Sequence, residues 1–294
     1  MMHEEGYIEV TGGRVWYQLF NKNSANTPVI ILHGGPGSSS YSLEGLQALQ
    51  TDRPVILYDQ LGCGRSDRPN DQSLWQLDRF VEELALVREA LKLDEVHILG
   101  HSWGTTLAAA YCLTKPSGVK SVIFSSPCLS APRWEQDQIE NLKTLPIEIQ
   151  ETIKRCEETG TTDSEEFKSA IQEFNKRFVC RVEKDPDPEW LKKGAGYRNP
   201  EIYNIMWGPS EFSVKGNLKS FDCTSRLNEI SCPALFTCGR YDEATPASTE
   251  YFSTLVANGK IHIFENSAHM PYFEEKEEYL QVMGTFLKTI DSYC

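Results

Sequence analysis

The stretch that decides the fold is VHILGHSWGTTLAAAYCL, residues 96–113. It opens with the apolar run Val96–Leu99, which is typical of a strand buried on both faces. The pattern Gly-x-Ser-x-Gly follows at residues 100–104, and a helical pattern begins at Thr105. A sharp strand–turn–helix crowds the backbone at the serine, and the flanking glycines admit that crowding because they lack a Cβ atom. We therefore predict that Ser102 is a nucleophile presented above the edge of a sheet.

The rest of the chain repeats this alternation of apolar runs and helical patterns. The segments 77–93 and 276–290 carry an apolar stripe at helical spacing, which predicts helices packed on a sheet. Near the start, Gly12-Gly13 predicts a hairpin turn between strands at 7–10 and 14–20. Strands alternating with helices imply the α/β class, with a mostly parallel sheet flanked by helices. The remaining predicted strands are Val29–Leu32, Val55–Tyr58, Val96–Leu99, Val119–Phe124, Ala234–Cys238 and Ile261–Phe264.

One long stretch, residues 127–222, departs from this alternation. Its patterns predict helices at 133–142, 147–159 and 164–182, and loops at 185–188 and at Gly194-Ala195-Gly196. Strand-like runs resume only after it, at Pro233. We interpret 127–222 as a helical cap inserted between two parts of one α/β core, residues 1–126 and 223–294.

A serine nucleophile needs a base, and the base needs an acid to orient it. The order expected with a Gly-x-Ser-x-Gly turn is serine, acid, histidine. Asp242 and His269 each follow a predicted strand closely, so both lie at the carboxyl ends of strands, where open α/β sheets place their ligands. We predict Asp242 as the acid and His269 as the base. The other five histidines lie near the terminus, within strands or beside glycines: His3, His33, His97, His101 and His262.

A glycine-containing loop, residues 33–37 (HGGPG), ends the predicted strand Val29–Leu32. The amide of Gly35 in this loop and the amide of Trp103 can form an oxyanion hole. A phosphate-binding loop would require a lysine after the glycines, and none follows. The residues after Gly37 are three serines, which also does not fit a dinucleotide-binding loop.

Composition and charge limit the possible partners. The net charge is −13, which disfavours nucleic acid as a partner. This charge serves solubility, or else it attracts cationic substrates. No run approaches the roughly 18 apolar residues of a membrane span, and the first residues do not resemble a secretory signal. The nine cysteines are dispersed without a Cys-x-x-Cys pair. We expect reduced thiols, a cytoplasmic location, and neither membrane, metal nor organic cofactor; the oligomeric state has no signal in the sequence.

Several motifs taken together resemble the proline iminopeptidases, which are α/β-hydrolases that remove N-terminal residues, proline above all, from peptides. They are HGGPG at 33–37, DQLGCGRSD at 59–67, GHSWG at 100–104, GRYD at 239–242 and SAHMP at 267–271. The resemblance spans the whole chain in order. It implies the α/β-hydrolase fold with an inserted cap, and an acyl-enzyme mechanism.

The resemblance also implies residues that bind the free amine of the substrate. The cap sequence GPSEF at 208–212 is similar to a cap motif in which a glutamate, here Glu211, holds that amine. Glu243 matches a second amine-binding acid in the tricorn-interacting branch, and Tyr203 a cap tyrosine near the substrate. Alternatively, Glu211 is a solvated acid on a cap loop, and Glu243 is an acid in the first turn of a helix that starts near Pro246.

The sequence therefore predicts a serine aminopeptidase that acts on short peptides or amino-acid amides with a free N-terminus. The alternative is an amino-acid amidase or esterase with the same triad, since fold and triad are shared among such enzymes. A non-catalytic receptor on a hydrolase scaffold is a third possibility, which the complete set of Ser102, Asp242 and His269 disfavours.

Overall fold

A sheet of eight strands forms the centre of the chain in the computed structural model, which describes residues 3–182 and 189–292. The strand order across the sheet is β1-β2-β4-β3-β5-β6-β7-β8. The strands β3 to β8 run parallel to one another, while β2 is antiparallel to both β1 and β4. The strands are β1 His3–Val10, β2 Gly13–Phe20, β3 Val29–Leu32, β4 Val55–Tyr58, β5 Val96–His101, β6 Val119–Ser125, β7 Ala234–Gly239 and β8 Gly259–Phe264.

The first hairpin differs from the sequence prediction by one residue. Val10 pairs with Gly13, so the two-residue turn is Thr11-Gly12 and not Gly12-Gly13. Gly12 has a φ of 97°, a left-handed conformation that glycine adopts without steric cost. Gly13 also has a positive φ, of 154°, but it pairs with Val10 as the first residue of β2.

Ten α-helices lie in the described part of the chain, in addition to three 3-10 segments at Ser40–Thr51, Gln72–Leu74 and Thr224–Glu229. Both helices predicted to pack on the sheet, at 77–93 and 276–290, are present. The helices are α1 Leu77–Ala90, α2 Trp103–Cys112, α3 Ala131–Lys143, α4 Ile147–Thr159, α5 Glu165–Phe178, α6 Glu189–Gly196, α7 Pro200–Met206, α8 Pro246–Thr254, α9 Pro271–Glu274 and α10 Lys276–Asp291.

Alternate residues of the parallel strands face opposite sides of the sheet, and both sides are covered. Ile30 and Leu32 of β3 join an apolar cluster that includes side chains of α1 and α2. Val29 and Ile31 join a second cluster, which includes side chains of α10 and of the segment Ser40–Thr51. All four are fully buried, which explains why this strand is apolar at every position.

Between β6 and β7 the chain leaves the sheet and forms the helices α3 to α7. Part of this segment has an apolar cluster of its own, which includes Ile153, Phe167 and Phe174. Ser130 and Asp222 pair in an isolated antiparallel bridge, which brings the two ends of the segment together. The division of the chain at residues 127–222 stays a prediction, to which these contacts lend support.

One loop prediction in this segment is wrong. Gly194-Ala195-Gly196 forms the end of α6 and not a loop. The helix α6 lies against the segment Ser40–Thr51, and a Cβ atom placed on Gly194 would be 3.6 Å from the Cβ atom of Tyr41. The contact with this segment stabilises the helix, and this tertiary packing outweighs the weak helix propensity of the two glycines. The loop predicted at residues 185–188 lies outside the described residues.

Candidate active site

Ser102 occupies the sharp turn between β5 and α2. Its φ of 55° and ψ of −124° are unusual for a residue with a side chain, and its amide donates a hydrogen bond to the Ser125 carbonyl at 3.0 Å. A Cβ atom on Gly104 would lie 2.2 Å from the Leu32 carbonyl oxygen. The second glycine of the pattern is therefore required because α2 passes against the end of β3.

Asp242 and His269 meet beside this turn. The Nδ1 atom of His269 donates to Asp242 Oδ1 at 2.7 Å. Asp242 is buried, and it also accepts from Ser126 Oγ at 2.7 Å and from the Ala244 amide at 2.7 Å. These donors hold the carboxylate in one orientation, and the carboxylate in turn fixes the imidazole tautomer with its proton on Nδ1.

His101 supports the backbone of His269. Its Nε2 atom donates to the His269 carbonyl at 2.8 Å, and the two rings lie 4.8 Å apart between centroids. Burial lowers the pKa of His101 to about 3, so its ring is neutral and adds no charge beside His269.

The Nε2 atom of His269 faces a second carboxylate. Glu243 Oε1 lies 3.6 Å from it, and within the described residues the structure records no hydrogen bond between Nε2 and Ser102. Burial by itself would lower the pKa of His269. The negative charges of Asp242, Glu243 and Glu211 outweigh burial and raise this pKa to about 9.

The two amides predicted for an oxyanion hole lie at one cavity with Ser102. Gly35 and Trp103 both line that cavity. Trp103 is the first residue of α2, so its amide is among those that have no acceptor within the helix. Gly35 has a φ of 118°, and a Cβ atom there would lie 2.7 Å from the amides of Gly37 and Ser38. Only glycine fits this loop without strain.

Gln60 connects the glycine-containing loop at 33–37 to the start of α2, a role that was not predicted from the sequence. Its side chain donates to the His33 carbonyl at 3.2 Å and accepts from the indole Nε1 of Trp103 at 2.8 Å. Its own amide donates to Nε2 of His33 at 3.1 Å. Gln60 is buried, so it connects the glycine-containing loop to the start of α2 in a site shielded from water. The only indication of this role in the sequence was that Gln60 lies within the motif at residues 59–67.

The other residues that line the cavity are largely apolar, and apart from Glu211 they were not predicted from the sequence. Thr106, Cys128, Trp134 and Trp207 line it together with Glu211. The rings of Trp134 and Trp207 are perpendicular, with centroids 5.9 Å apart, and Trp134 also packs edge-on against His269 at 5.9 Å. Both tryptophans come from the segment between β6 and β7, so that segment covers the serine.

Glu211 reaches the cavity wall and is not a solvated acid on a loop. Tyr203 Oη donates to Glu211 Oε1, so the tyrosine orients this carboxylate. Burial raises the pKa of Glu211, and the bond from Tyr203 opposes that shift. The carboxylate is half-buried at the cavity wall, and a cationic ligand in the cavity would supply a countercharge.

Glu243 is likewise not an acid in the first turn of a helix. The helix α8 begins at Pro246 and is capped by the Thr245 hydroxyl, which accepts from the Ser248 amide. Glu243 precedes this cap and directs its carboxylate toward His269. Burial, together with the charges of Glu211 and Asp242, raises the pKa of Glu243 well above its usual range, although His269 opposes this shift.

In residues 3–182 and 189–292, no three or more His, Cys, Asp or Glu side chains are grouped in a way that could hold a metal ion. None of the helices in the same part of the chain is both long enough and apolar enough to cross a membrane.

The sheet, the serine turn and the Asp242–His269 pair together define an α/β-hydrolase. A profile of the alpha/beta hydrolase fold family matches residues 27–276. The chain is 72% identical to a proline iminopeptidase of Heyndrickxia coagulans, over 98% of this chain and 100% of the relative. It therefore belongs to the proline iminopeptidase family.

Solved structures of similar chains agree with this assignment. The crystal structure of a proline iminopeptidase from Mycobacterium smegmatis matches with a TM-score of 0.90 and 31% identity, covering 99% of both chains. The crystal structure of VinJ matches with a TM-score of 0.93 and 32% identity, covering 98% of this chain and 99% of that one.

Proposed function

We propose that this protein is a serine aminopeptidase that releases N-terminal residues, preferentially proline, from short peptides. The observation that carries the proposal is a cavity lined by Ser102 and Glu211, with the Asp242–His269 pair beside it and the buried Glu243 carboxylate 3.6 Å from His269 Nε2. The relatives named proline iminopeptidase support it over the full length of the chain.

The mechanism is acyl transfer. His269 accepts the proton of Ser102 as the hydroxyl attacks the first carbonyl of the peptide, and Asp242 stabilises the imidazolium that forms. The amides of Gly35 and Trp103 bind the oxyanion of the tetrahedral intermediate. His269 then gives its proton to the departing amine, and water hydrolyses the acyl-enzyme. The groups that the protein supplies in these steps are three side chains and two backbone amides.

Exopeptidase specificity arises from the two glutamates. Glu211 and Glu243 supply the negative charge that an N-terminal ammonium group needs in a cavity with largely apolar walls. Tyr203 holds Glu211 in place through its hydrogen bond. A substrate without a free amine would bury these carboxylates unpaired, which is costly.

Residues 127–222 act as a cap that forms the entrance and selects the substrate. Trp134, Trp207 and Glu211, all within this range, line the cavity. Cap residue Asn199 also contacts the core, since its amide donates to the Gly37 carbonyl at 2.7 Å and its side chain to the Gly62 carbonyl at 2.9 Å. The cap is thereby joined to the loop that carries Gly35.

The activity is tested with three substrates: a prolyl arylamide, its N-acetylated twin and a simple aryl ester. An aminopeptidase cleaves the first with much the highest kcat/KM, because acetylation removes the positive charge and adds bulk beside the glutamates. An amino-acid amidase or esterase is the second candidate. It would be favoured if the acetylated twin or the ester were cleaved as well as the free-amine arylamide.

We also propose a cytoplasmic location. In the described part of the chain, seven of the nine cysteines are free thiols: Cys63, Cys112, Cys128, Cys156, Cys223, Cys232 and Cys238. Free thiols are usual in a reducing compartment, which supports this location. Fractionation of the source cells, with activity on the prolyl arylamide as the readout, tests it.

A further inference from the structure

A buried carboxylate competes for the nitrogen that the mechanism uses. His269 Nε2 must be unprotonated to accept the proton of Ser102, yet Glu243 Oε1 lies 3.6 Å from it. The side chain of Glu243 is only 5% exposed. Its Oε2 atom is buried with no hydrogen-bond partner in the part of the chain that the structure describes. Glu243 is therefore an unsatisfied acid aimed at the catalytic nitrogen.

The charged groups around His269 are mostly of one sign. Asp242 and Glu243 come from the loop after β7, Glu211 from the cap, and Glu274 from α9, where it accepts from the Ala268 amide at 2.8 Å. His101 is neutral, because burial lowers its pKa to about 3. Without a cationic ligand, several carboxylates thus face one imidazole. Such a cluster retains protons, as the raised pKa values of Glu211, Glu243 and His269 indicate.

The cap holds Glu243 in this position. The amide of Glu243 donates to the carbonyl of Phe178, the last residue of α5, at 3.1 Å. Its carbonyl accepts from Nε2 of Gln138 in α3 at 2.9 Å. Both sides of the residue are thereby bound to α3 and α5, so its backbone is held at a place from which its carboxylate reaches His269.

We propose that Glu243 stabilises the protonated form of His269 in the absence of substrate, and that the substrate's ammonium group pairs with Glu243 and releases this proton. The inference rests on the proposed function, since the ammonium must bind at Glu211 and Glu243. One positive charge enters as the ammonium, and one leaves as a proton transferred to solvent. The net charge of the site is unchanged, and His269 Nε2 becomes free to accept the proton of Ser102.

This arrangement makes the free amine a condition of catalysis as well as of binding. A blocked substrate that enters the cavity leaves His269 protonated, so its hydrolysis is slowed in kcat and not only in KM. Glu243 is then a specificity-determining residue that acts through the base.

Proton release on binding provides the test. The Ser102→Ala variant, which cannot acylate, is titrated with prolinamide at about pH 7.5, well below the pKa of His269 of about 9. Calorimetry in two buffers of different ionisation enthalpy measures the protons released. We expect roughly one proton per prolinamide bound, because an ammonium beside His269 disfavours the imidazolium. N-acetylprolinamide should release none.

Control variants in the Ser102→Ala background separate the possible outcomes. Glu243→Gln should reduce the release to less than about half, whereas Glu250→Gln, an exposed acid on α8, should leave it unchanged. If prolinamide binds in preference to its acetylated twin but releases no proton, the inference is wrong while amine recognition stands. If the two ligands bind equally well, the proposed function fails and the inference falls with it.

The group that loses the proton is identified by NMR. The imidazole carbon signal of His269, assigned by its absence in His269→Gln, should titrate near pH 9 in the free Ser102→Ala variant and at lower pH with prolinamide bound. An imidazole pKa that is the same in both states overturns the inference.

Steady-state kinetics of the unmodified enzyme give a second signature. The acid limb of kcat/KM reports ionisation in the free enzyme, and that of kcat reports ionisation in the complex. For a prolyl arylamide, kcat/KM should therefore fall as the pH drops below about 9, while kcat is maintained to lower pH. An uncharged ester should show the same limb in both parameters. Coincident limbs for the arylamide would contradict the inference.

Discussion

Replacing Gln60 with leucine should lower kcat much more than it raises KM. The side chain of Gln60 accepts from the indole of Trp103 at 2.8 Å and donates to the His33 carbonyl at 3.2 Å. Leucine has a similar volume but makes neither bond. The glycine-containing loop and the start of α2 would then lose the link that sets the Gly35 and Trp103 amides relative to each other.

The size of the effect follows from these two bonds. Leaving one buried polar group unpaired costs about 1–3 kcal/mol, so the loss of both bonds in Gln60→Leu should reduce the free energy of unfolding by roughly 2–6 kcal/mol. Removing one oxyanion-hole donor outright costs about 10²–10³ in kcat. Gln60 is a positioning residue that leaves both donors present, so we expect a smaller loss in kcat, about 10- to 100-fold.

The assay compares kcat and KM for a prolyl arylamide with the affinity for a prolyl boronic acid, whose adduct with Ser102 mimics the tetrahedral intermediate. Affinity for the boronic acid should fall in parallel with kcat, while affinity for free proline changes little. Gln136→Leu, at an exposed position of α3, is the matched control and should alter none of these values. A Gln60→Leu enzyme that unfolds more easily but keeps its kcat and its boronic-acid affinity would refute the positioning role.

Three further predictions concern the nucleophile, the cap acid and the acid stability of the core. Ser102→Ala should lose roughly six orders of magnitude in kcat, while its circular-dichroism spectrum stays unchanged. A variant that retains more than about a hundredth of the wild-type rate would show that Ser102 is not the nucleophile. Glu211→Gln should lower kcat/KM for a free-amine arylamide about 10- to 150-fold, because it removes a hydrogen bond to a charged group. The rate of ester hydrolysis should be almost unchanged, and equal losses on both substrates would contradict amine binding by Glu211. Burial lowers the pKa of His97 to about 4, so the unfolded state binds more protons than the folded state below about pH 6.5. The free energy of unfolding should therefore fall by up to about 3 kcal/mol as the pH drops from about 6.5 to about 4. His97→Gln should flatten this decline in urea titrations, and an unchanged slope would exclude His97 as its source.

Much of the fold could be predicted from local patterns in the sequence. Each of the eight strands was predicted. The strands β3 and β4 are apolar at every position because both faces of the sheet are covered there, whereas β1 and β2 were predicted from the glycines between them. The serine turn was predicted from its Gly-x-Ser-x-Gly pattern, although the need for Gly104 comes from the neighbouring strand β3. The end of α6 was not predicted, because its glycines indicated a loop and the contact of this helix with the segment Ser40–Thr51 depends on the tertiary structure.

The sequence by itself determined which chemical groups are available and where along the sheet they lie. Asp242 and His269 follow successive strands, and parallel strands end at the same edge, so their meeting could be predicted from chain order alone. Their catalytic roles stay a prediction. The tertiary structure decided what faces His269 and what joins the Gly35 loop to Trp103. Glu243 points at His269 because α3 and α5 hold its backbone, and Gln60 reaches Trp103 and His33 because β4 lies beside β3 in the sheet. Such contacts depend on strand order and on loop paths that bring distant residues together, and the spacing of residues along the chain does not encode them locally.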